Sequence, residues 1–159
     1  MMRSHALTTA KLAVLFILSI ASAFAGTWNT NKANVVLDGY DVVAYRNVDK
    51  AVKGSARYAT NYDGVKFYFS NAKNLAAFKE NPTQYLPKYN GYCAFAVGAN
   101  NAKVPANPDS FKLYNGELLV FFNDMYKGEK FNTKIPWNGD EKTLYSKAES
   151  NWKSLKNNK

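Results

Sequence analysis

Four consecutive residues near the start of the chain concentrate oxygen-bearing side chains, Asp38-Gly39-Tyr40-Asp41. Two carboxylates and a phenol so close together could converge on a small cation or a polar ligand. The same residues also suit a turn, because Asp and Gly supply local hydrogen bonds and positive φ angles. Both interpretations, a ligand site and a turn, stay open at this point.

The single cysteine, Cys93, lies in a run of small and apolar residues over 91–97. It could be a nucleophile or a metal ligand if a cation or a helix N-terminus lowered its pKa, and Gly91 could place it near a helix start. A cysteine buried among apolar neighbours is instead inert and packs as a small hydrophobe. We favour this structural role. Tyr89 and Tyr92 beside the cysteine, with Tyr85, could line an aromatic ligand pocket, although aromatic residues more often fill the core.

Residues 81–85 form the string Asn-Pro-Thr-Gln-Tyr, an NPxxY motif similar to the tyrosine-based peptides that adaptor domains recognise. Asn81, Pro82 and Tyr85 are therefore candidate partner-binding residues. Asn followed by Pro also suits a helix start, with Asn as the cap and Pro at the first helical position. Because a recognition motif must be accessible in an unpacked segment, the helix start is the favoured interpretation.

The first 25 residues have the three parts of a secretory signal peptide: a charged start with Arg3 and Lys11, an apolar run over 12–20, and the ending Ala23-Phe24-Ala25. The apolar run is shorter than the roughly 20 residues that span a bilayer, which disfavours an uncleaved anchor. We therefore expect cleavage after Ala25 and export to the periplasm or the exterior. We expect no transmembrane segment in the mature chain.

Cleavage would also change the set of reactive groups. His5 is the one histidine of the chain, so the residues from Gly26 onward contain no imidazole. This excludes histidine general bases, Ser-His and Cys-His nucleophile pairs, and histidine metal ligands. Since no other nucleophile–base pair is recognisable, the sequence predicts a protein that is not an enzyme. No cofactor is predicted, and a metal ion is kept as an alternative.

The charge balance is positive but diffuse. The whole chain has 21 basic and 12 acidic side chains, a net charge of +9; without Arg3 and Lys11 the balance is 19 to 12, or +7. The lysines are interleaved with acids and form no run of five, which disfavours nucleic-acid binding. The stretch from Lys127 to Lys159 is basic enough for weak contact with an anionic surface.

Turn residues and hydrophobic patterns predict two β-hairpins. Asp-Gly and Asn-Gly between alternating runs are the strongest short-range hairpin signals. The apolar run from Leu118 to Phe122 predicts a strand that is covered on both faces. The predicted strands are Arg57–Tyr62 and Val65–Phe69 around Asp63-Gly64, and Phe111–Tyr114 and Glu117–Phe122 around Asn115-Gly116.

Three helices are predicted: Asn71–Glu80 after a Ser70 cap, a short turn at Thr83–Leu86, and an amphipathic C-terminal helix over Asp140–Lys156. We expect no internal repeat and one domain over 26–159. The fold class is α+β, a single small domain with a largely antiparallel sheet built from two hairpins. The inward-facing residues would be Ala72, Leu75, Ala76 and Phe78 in the first helix and Leu144, Ala148, Trp152 and Leu155 in the last.

The chain over 36–155 resembles the secreted branch of the YHS-domain family. The resemblance depends on the order and spacing of several stretches together. Metal-associated members of the family suggest a small metal-sensing or metal-carrying domain. The matching stretches are 37–45, 52–56, Tyr68-Phe69-Ser70 with Asn74 and Phe78, Asn81-Pro82 with Tyr85, 89–96, Asn115-Gly116 and Asn151-Trp152.

The metal-associated members carry cysteines at the positions that match Ala44, Ser70 and Asn74 in this chain. None of these three residues is a thiolate ligand. The remaining candidates, Cys93 with Asp38 and Asp41, would combine a soft ligand with hard ones, and soft and hard ligands select different metals. The resemblance therefore implies the family fold more strongly than it implies a metal site.

Together these patterns predict an exported, non-catalytic YHS-domain binding module with an unknown small ligand or protein partner. One alternative is a copper-type metal-binding or metal-sensing protein with a degenerate site, for which the metal ligands would be Cys93, Asp38 and Asp41. A second alternative is a secreted interaction protein or effector that presents the NPxxY motif to a host or envelope partner. The candidate ligand-binding residues are Asp38, Tyr40, Asp41, Tyr89, Tyr92 and Cys93.

Overall fold

A computed structural model describes residues 27–158, and the expected signal peptide over 1–25 lies outside the described residues. Helices and strands mix along this part of the chain, which confirms the predicted α+β class. Between residues 27 and 158, no helix is both long enough and apolar enough to span a bilayer. In chain order the elements are α1 Ala44–Val48, β1 Ser55–Tyr62, β2 Val65–Phe69, α2 Ala72–Glu80, α3 Pro82–Tyr85, α4 Ala94–Asn100, β3 Asn107–Tyr114, β4 Glu117–Phe121, β5 Asn123–Tyr126, β6 Glu129–Asn132, α5 Lys134–Gly139 and α6 Glu141–Leu155.

The strands pair as three antiparallel hairpins, β1–β2, β3–β4 and β5–β6. The two predicted hairpins are confirmed, and both residues of the Asp63-Gly64 and Asn115-Gly116 turns have the positive φ that such turns require. β1 and β3 begin earlier than predicted because each continues beyond a bulge. The third hairpin, β5–β6, was not predicted.

The predictions for α2 are partly wrong. Asn71, and not Ser70, caps the helix, since its side-chain oxygen accepts a hydrogen bond from the Asn74 N–H at 2.9 Å. The Ser70 hydroxyl instead donates to the Asp41 carboxylate. Of the predicted inward residues Phe78 is buried and Leu75 is half-buried, whereas Ala72 and Ala76 are exposed.

The C-terminal helix α6 is confirmed as amphipathic. Leu144, Ala148 and Leu155 are buried, and Trp152 is half-buried against the same core. Helix α6 packs closely on α4 at Gly98, where a Cβ atom would lie 2.5 Å from the Leu144 carbonyl oxygen. The absence of a side chain at Gly98 therefore sets the distance between these two helices.

The described chain contains an internal structural repeat, in which residues 35–69 correspond without a gap to residues 87–121, 52 positions later. The expectation of no repeat is wrong. Both halves place the same bulge in the same register of their hairpin. The corresponding bridges are Val35–Lys66 and Pro87–Leu118, and Tyr40–Lys53 and Tyr92–Pro105.

The backbone conformations repeat as well. Each half opens with a tight turn of three consecutive residues in the left-handed region and continues into a short helix, α1 or α4. Six positions with positive φ recur at the same spacing, which is strong evidence that the halves share one backbone design. These positions are Leu37, Asp38, Gly39, Asp49, Asp63 and Gly64 in the first half and Tyr89, Asn90, Gly91, Asn101, Asn115 and Gly116 in the second.

Strand β4 lies between the two cores of the domain. Leu118 and Val120 pack into the first core with Phe67, Phe69 and Phe78, as one connected cluster. The alternate residues of β4 pack into the second core, which contains Cys93, Trp137 and the buried face of α6; these are Leu119 and Phe121. All four are fully buried, so the predicted strand covered on both faces is confirmed.

Candidate functional site

Asp41 is buried and its hydrogen-bonding capacity is taken up inside the fold. One carboxylate oxygen accepts from the N–H groups of Val43 and Ala44, at 2.9 and 3.2 Å. The other accepts from the Ser70 N–H and hydroxyl and from the Asn74 amide, at 2.8, 2.7 and 2.8 Å. Asp41 therefore joins the start of α1 to the start of α2, which is a structural role.

Asp38 and Tyr40 lie at the surface beside Lys53. The Lys53 Nζ atom is 3.2 Å from the Asp38 carboxylate and 4.8 Å from the centre of the Tyr40 ring. A hydrogen bond from Asn31 holds the pKa of Asp38 below its usual value; burial opposes this effect, and Lys53 adds to the lowering. Asp38 has positive φ, so the turn interpretation of this segment holds.

Cys93 is fully buried and directly precedes α4. Its Sγ atom lies 3.2 Å from the Thr133 hydroxyl, and the backbone N–H groups of Phe122, Ala96 and Phe95 lie around it. Burial raises the pKa of the thiol despite these donors. A buried thiol with a raised pKa is unreactive, as the favoured structural interpretation requires.

Asp41 and Cys93 occupy corresponding positions of the two halves. The donors to Asp41 at residues 43, 44 and 70 correspond to the donors to Cys93 at residues 95, 96 and 122. Asp41 therefore ties the start of α1 to the end of the first hairpin, and Cys93 occupies the equivalent place before α4. The repeat accounts for both residues without a ligand.

The candidate ligand-binding residues do not share one site. Tyr92 is buried, and its hydroxyl donates to the Trp28 carbonyl at 3.2 Å, while burial raises its pKa to about 12. Asp38, Asp41 and Cys93 have separate hydrogen-bond partners. Within residues 27–158 no three His, Cys, Asp or Glu side chains are grouped so that they could hold a metal ion.

The NPxxY segment is folded as helix α3. Pro82 occupies the first helical position, as predicted, and Asn81 makes side-chain hydrogen bonds with Thr83 and Gln84. Asn81 precedes the helix but its side chain does not cap the backbone. Tyr85 is half-buried and packs against the first core.

Tyr89 belongs to a connected polar network at the other side of the second core. Its hydroxyl donates to Glu149 on α6 at 3.0 Å. The ammonium of Lys88 lies 2.7 Å from Glu117 and 3.1 Å from Glu149, between the two carboxylates. The Tyr145 hydroxyl donates to the second oxygen of Glu117.

The protonation states in this network are fixed near neutral pH. Burial, reinforced by Glu149, raises the pKa of Tyr89 far above its usual value, and burial with the hydrogen bond to Glu117 raises that of Tyr145 to about 12. Burial alone would lower the pKa of Lys88, but its hydrogen bonds to both glutamates outweigh burial and raise it. The tyrosines therefore stay protonated and the lysine stays charged.

The network borders a cavity of about 380 Å³, which we call the Tyr89 cavity. It lies where the two halves and α6 meet. Of the six candidate ligand-binding residues only Tyr89 lines it. The lining residues are Arg46, Thr83, Leu86, Pro87, Lys88, Tyr89, Asn90, Glu117, Glu149, Trp152, Lys153 and Lys156.

The backbone beside the cavity is strained. Tyr89 and Asn90 have φ of 53° and 51°, in the left-handed region that costs an ordinary residue about 1 kcal/mol or more. The first half has the same turn, but its residues at the positions of Lys88, Tyr89 and Glu117 are the buried apolar residues Val36, Leu37 and Val65. The fold therefore does not require charged side chains at these positions.

No family model, curated protein or solved structure matches the chain.

Sequence reasoning identified Tyr89 but missed Lys88, Glu117 and Glu149. One usable signal is a second stripe on the C-terminal helix, Tyr145, Glu149 and Trp152, at i, i+4 and i+7. This stripe lies beside the apolar one. A stripe of polar and aromatic residues at helical spacing indicates a helix face that is partly buried. Glu117 has no local signal, because its partners come from distant segments.

Proposed function

We propose that this protein is an exported, non-catalytic binding module of the YHS-domain type, and that the Tyr89 cavity is its ligand site. The observation that carries the proposal is the network of Lys88, Glu117, Glu149 and Tyr89. In the first half, the positions that correspond to Lys88, Tyr89 and Glu117 hold only apolar residues. Polar groups are costly to remove from water. Their presence at a cavity between structural units is typical of a small-molecule site.

The positions that the resemblance matches to the family cysteines converge in the first half of the fold. These positions, Ala44, Ser70 and Asn74, lie in two separate segments of the chain but surround one side chain, that of Asp41. All three donate hydrogen bonds to the Asp41 carboxylate, from the Ala44 N–H, the Ser70 hydroxyl and the Asn74 amide. In this chain these three positions therefore surround a buried carboxylate, whereas the resemblance would place thiolates at them.

The protonation states of the network support binding without catalysis. A general acid or base works best with a pKa near the working pH. Tyr89, Tyr145 and Lys88 have pKa values raised away from neutrality, and their protons are engaged with Glu117 and Glu149. Such groups are suited to holding a ligand in a fixed geometry rather than to exchanging protons with it.

The proposal is tested by nuclear magnetic resonance on isotope-labelled protein, with a set of anionic, neutral and cationic aromatic probes. We expect at least one probe to shift the amide signals of Lys88, Tyr89, Asn90 and Glu149 and to remain chemically unchanged. Conversion of a probe would contradict the non-catalytic assignment. Shifts restricted to other surfaces, or no shifts at all, would refute the Tyr89 cavity as the site.

A pair of neighbouring variants provides the control. Thr83 lines the cavity and Gln84, the next residue of α3, does not. We expect Thr83→Trp to fill the cavity and abolish the probe-induced shifts. Gln84→Trp adds the same side chain to an exposed position and should leave them unchanged.

A further inference from the structure

We infer that the ligand of the Tyr89 cavity is a small organic anion, with a carboxylate or phosphate group held by Arg46, Lys153 and Lys156 and an apolar body against Trp152. This inference rests on the proposed function, because it assigns a chemical class to the ligand of the same site.

The charges that line the cavity do not balance. Two carboxylates, Glu117 and Glu149, face four cations, one of which is Lys88. Lys88 is engaged with both carboxylates, and each carboxylate also accepts from a tyrosine hydroxyl. The acids are therefore already occupied inside the network. The other three cations are available to a ligand.

Arg46, Lys153 and Lys156 form none of the ion pairs found within residues 27–158. The Nε atom of Arg46 is buried and has no hydrogen-bond partner in the described part of the chain. A buried N–H without a partner costs about 1–3 kcal/mol, so such groups are rare and call for an explanation. Arg46 thus has no counter-charge within residues 27–158, and an anionic group bound beside its guanidinium in the cavity would supply one.

Arginine suits this role because its planar guanidinium matches the geometry of a carboxylate or phosphate. Its position is also informative. Arg46 on α1 corresponds to Gly98 on α4, and α6 packs directly on Gly98. The helix face that contacts α6 in the second half therefore carries, in the first half, the Arg46 guanidinium at the edge of the Tyr89 cavity.

The remaining lining is apolar. Leu86, Pro87 and the half-buried Trp152 offer a wall that an inorganic ion would leave uncovered. The volume of about 380 Å³ lies within the range of small-molecule sites, about 300–1,000 Å³. An organic anion would use both the cations and this wall.

The experiment compares phenyl phosphate and benzoate with benzamide, which is neutral, and benzylamine, which is cationic, by calorimetric and resonance titration of the intact protein. We expect an anion to bind at least tenfold more tightly than benzamide, and added salt to weaken it. Inorganic phosphate measures the contribution of the apolar wall, and we expect it to bind at least tenfold more weakly than phenyl phosphate.

The variants Arg46→Gln and Lys153→Gln/Lys156→Gln should each weaken the anion at least fivefold. The matched control is Lys142→Gln/Lys147→Gln, which removes the same charge from exposed positions of α6 outside the cavity and should change affinity less than twofold. Equal melting temperatures would show that the cavity variants fold.

The outcomes separate the two proposals. If benzamide or benzylamine binds in the cavity as tightly as the anions, the anionic class is wrong and the binding module stands. An equal loss in the control variant would also overturn the anion site, because net charge alone would explain the binding. If inorganic phosphate matches phenyl phosphate, the organic class is wrong. If no probe shifts the cavity signals, both proposals fail.

Discussion

Asp38 and Asp41 show how one residue type acquires two roles within a single turn. Asp38 is exposed for 63% of its side chain and makes a surface ion pair, whereas Asp41 is fully buried and accepts hydrogen bonds from two helix starts. The left-handed backbone at Asp38 turns its side chain to solvent and the next carboxylate inward. Surface ion pairs contribute little to stability, and buried charged hydrogen bonds contribute much more.

We therefore predict that Asp41→Asn destabilises the protein by about 3 kcal/mol, because an amide nitrogen would face donors that now meet a carboxylate oxygen. The matched variant Asp38→Asn should cost less than about 1 kcal/mol. Urea denaturation followed by circular dichroism measures both. Equal losses for the two variants would contradict the structural role of Asp41.

Residue type alone does not distinguish the exposed environment of Asp38 from the buried environment of Asp41. The sequence places Asp38, Asp41, Tyr92 and Cys93 near Gly residues of two short stretches, and it gives no sign that each would be satisfied by separate partners. Tyr89 was a candidate because aromatic residues near a polar turn often line pockets, and it does line the Tyr89 cavity. Its partners Glu117 and Glu149 are 28 and 60 residues away, measured from Tyr89, which places them beyond any local pattern.

Among the elements, those with strong local signals were predicted well. The two hairpins with Asn-Gly and Asp-Gly turns and the long amphipathic helix α6 are confirmed. The hairpin β5–β6 was missed because its strands are polar and its turn, Lys127-Gly128, is a weaker signal, although both residues have positive φ. The α2 cap was misplaced by one residue because a tertiary hydrogen bond occupies Ser70.

The close packing of α4 on α6 leads to a prediction about Gly98. In a helix, Gly→Ala usually stabilises by about 0.5–1 kcal/mol. At Gly98 the new Cβ would lie 2.5 Å from the Leu144 carbonyl oxygen, so Gly98→Ala should instead destabilise by about 2 kcal/mol.

The control is Gly139→Ala at the end of α5, where a Cβ would meet nothing within 4 Å and stability should be unchanged or slightly higher. Thermal denaturation of both variants shows whether each substitution raises or lowers the stability. A stabilised Gly98→Ala would mean that the two helices are not in close contact.

For the whole molecule, an internal repeat relates the two halves, and strand β4 of the second half packs into both cores. The repeat is hidden in the sequence because only seven of the 35 corresponding positions are identical, among them Gly39 and Gly91, and Gly64 and Gly116. Backbone requirements kept glycine at these turns, while most of the packing residues differ. A comparison of φ angles therefore finds a correspondence that residue identity does not.

Three buried tyrosine hydroxyls join distant parts of this architecture. Tyr45 on α1 donates to the Pro108 carbonyl on β3 at 2.9 Å, Tyr89 donates to α6, and Tyr92 donates to Trp28 near the start of the described chain. Burial raises the pKa of Tyr45 and Tyr89 well above the ordinary value of 10.0 and that of Tyr92 to about 12. Ionisation of any of them would break a link between segments.

These raised pKa values predict alkaline unfolding. The folded state keeps protons that the unfolded chain releases above pH 10, so the stability from these tyrosines is complete below pH 10 and is lost as the pH rises further. Each group contributes a slope of about 1.4 kcal/mol per pH unit. We expect tyrosinate absorbance and loss of circular dichroism to rise together, and Tyr92→Phe to reduce the slope between pH 10 and 12. Full ionisation of the tyrosines in a protein that keeps its native circular dichroism would contradict this prediction.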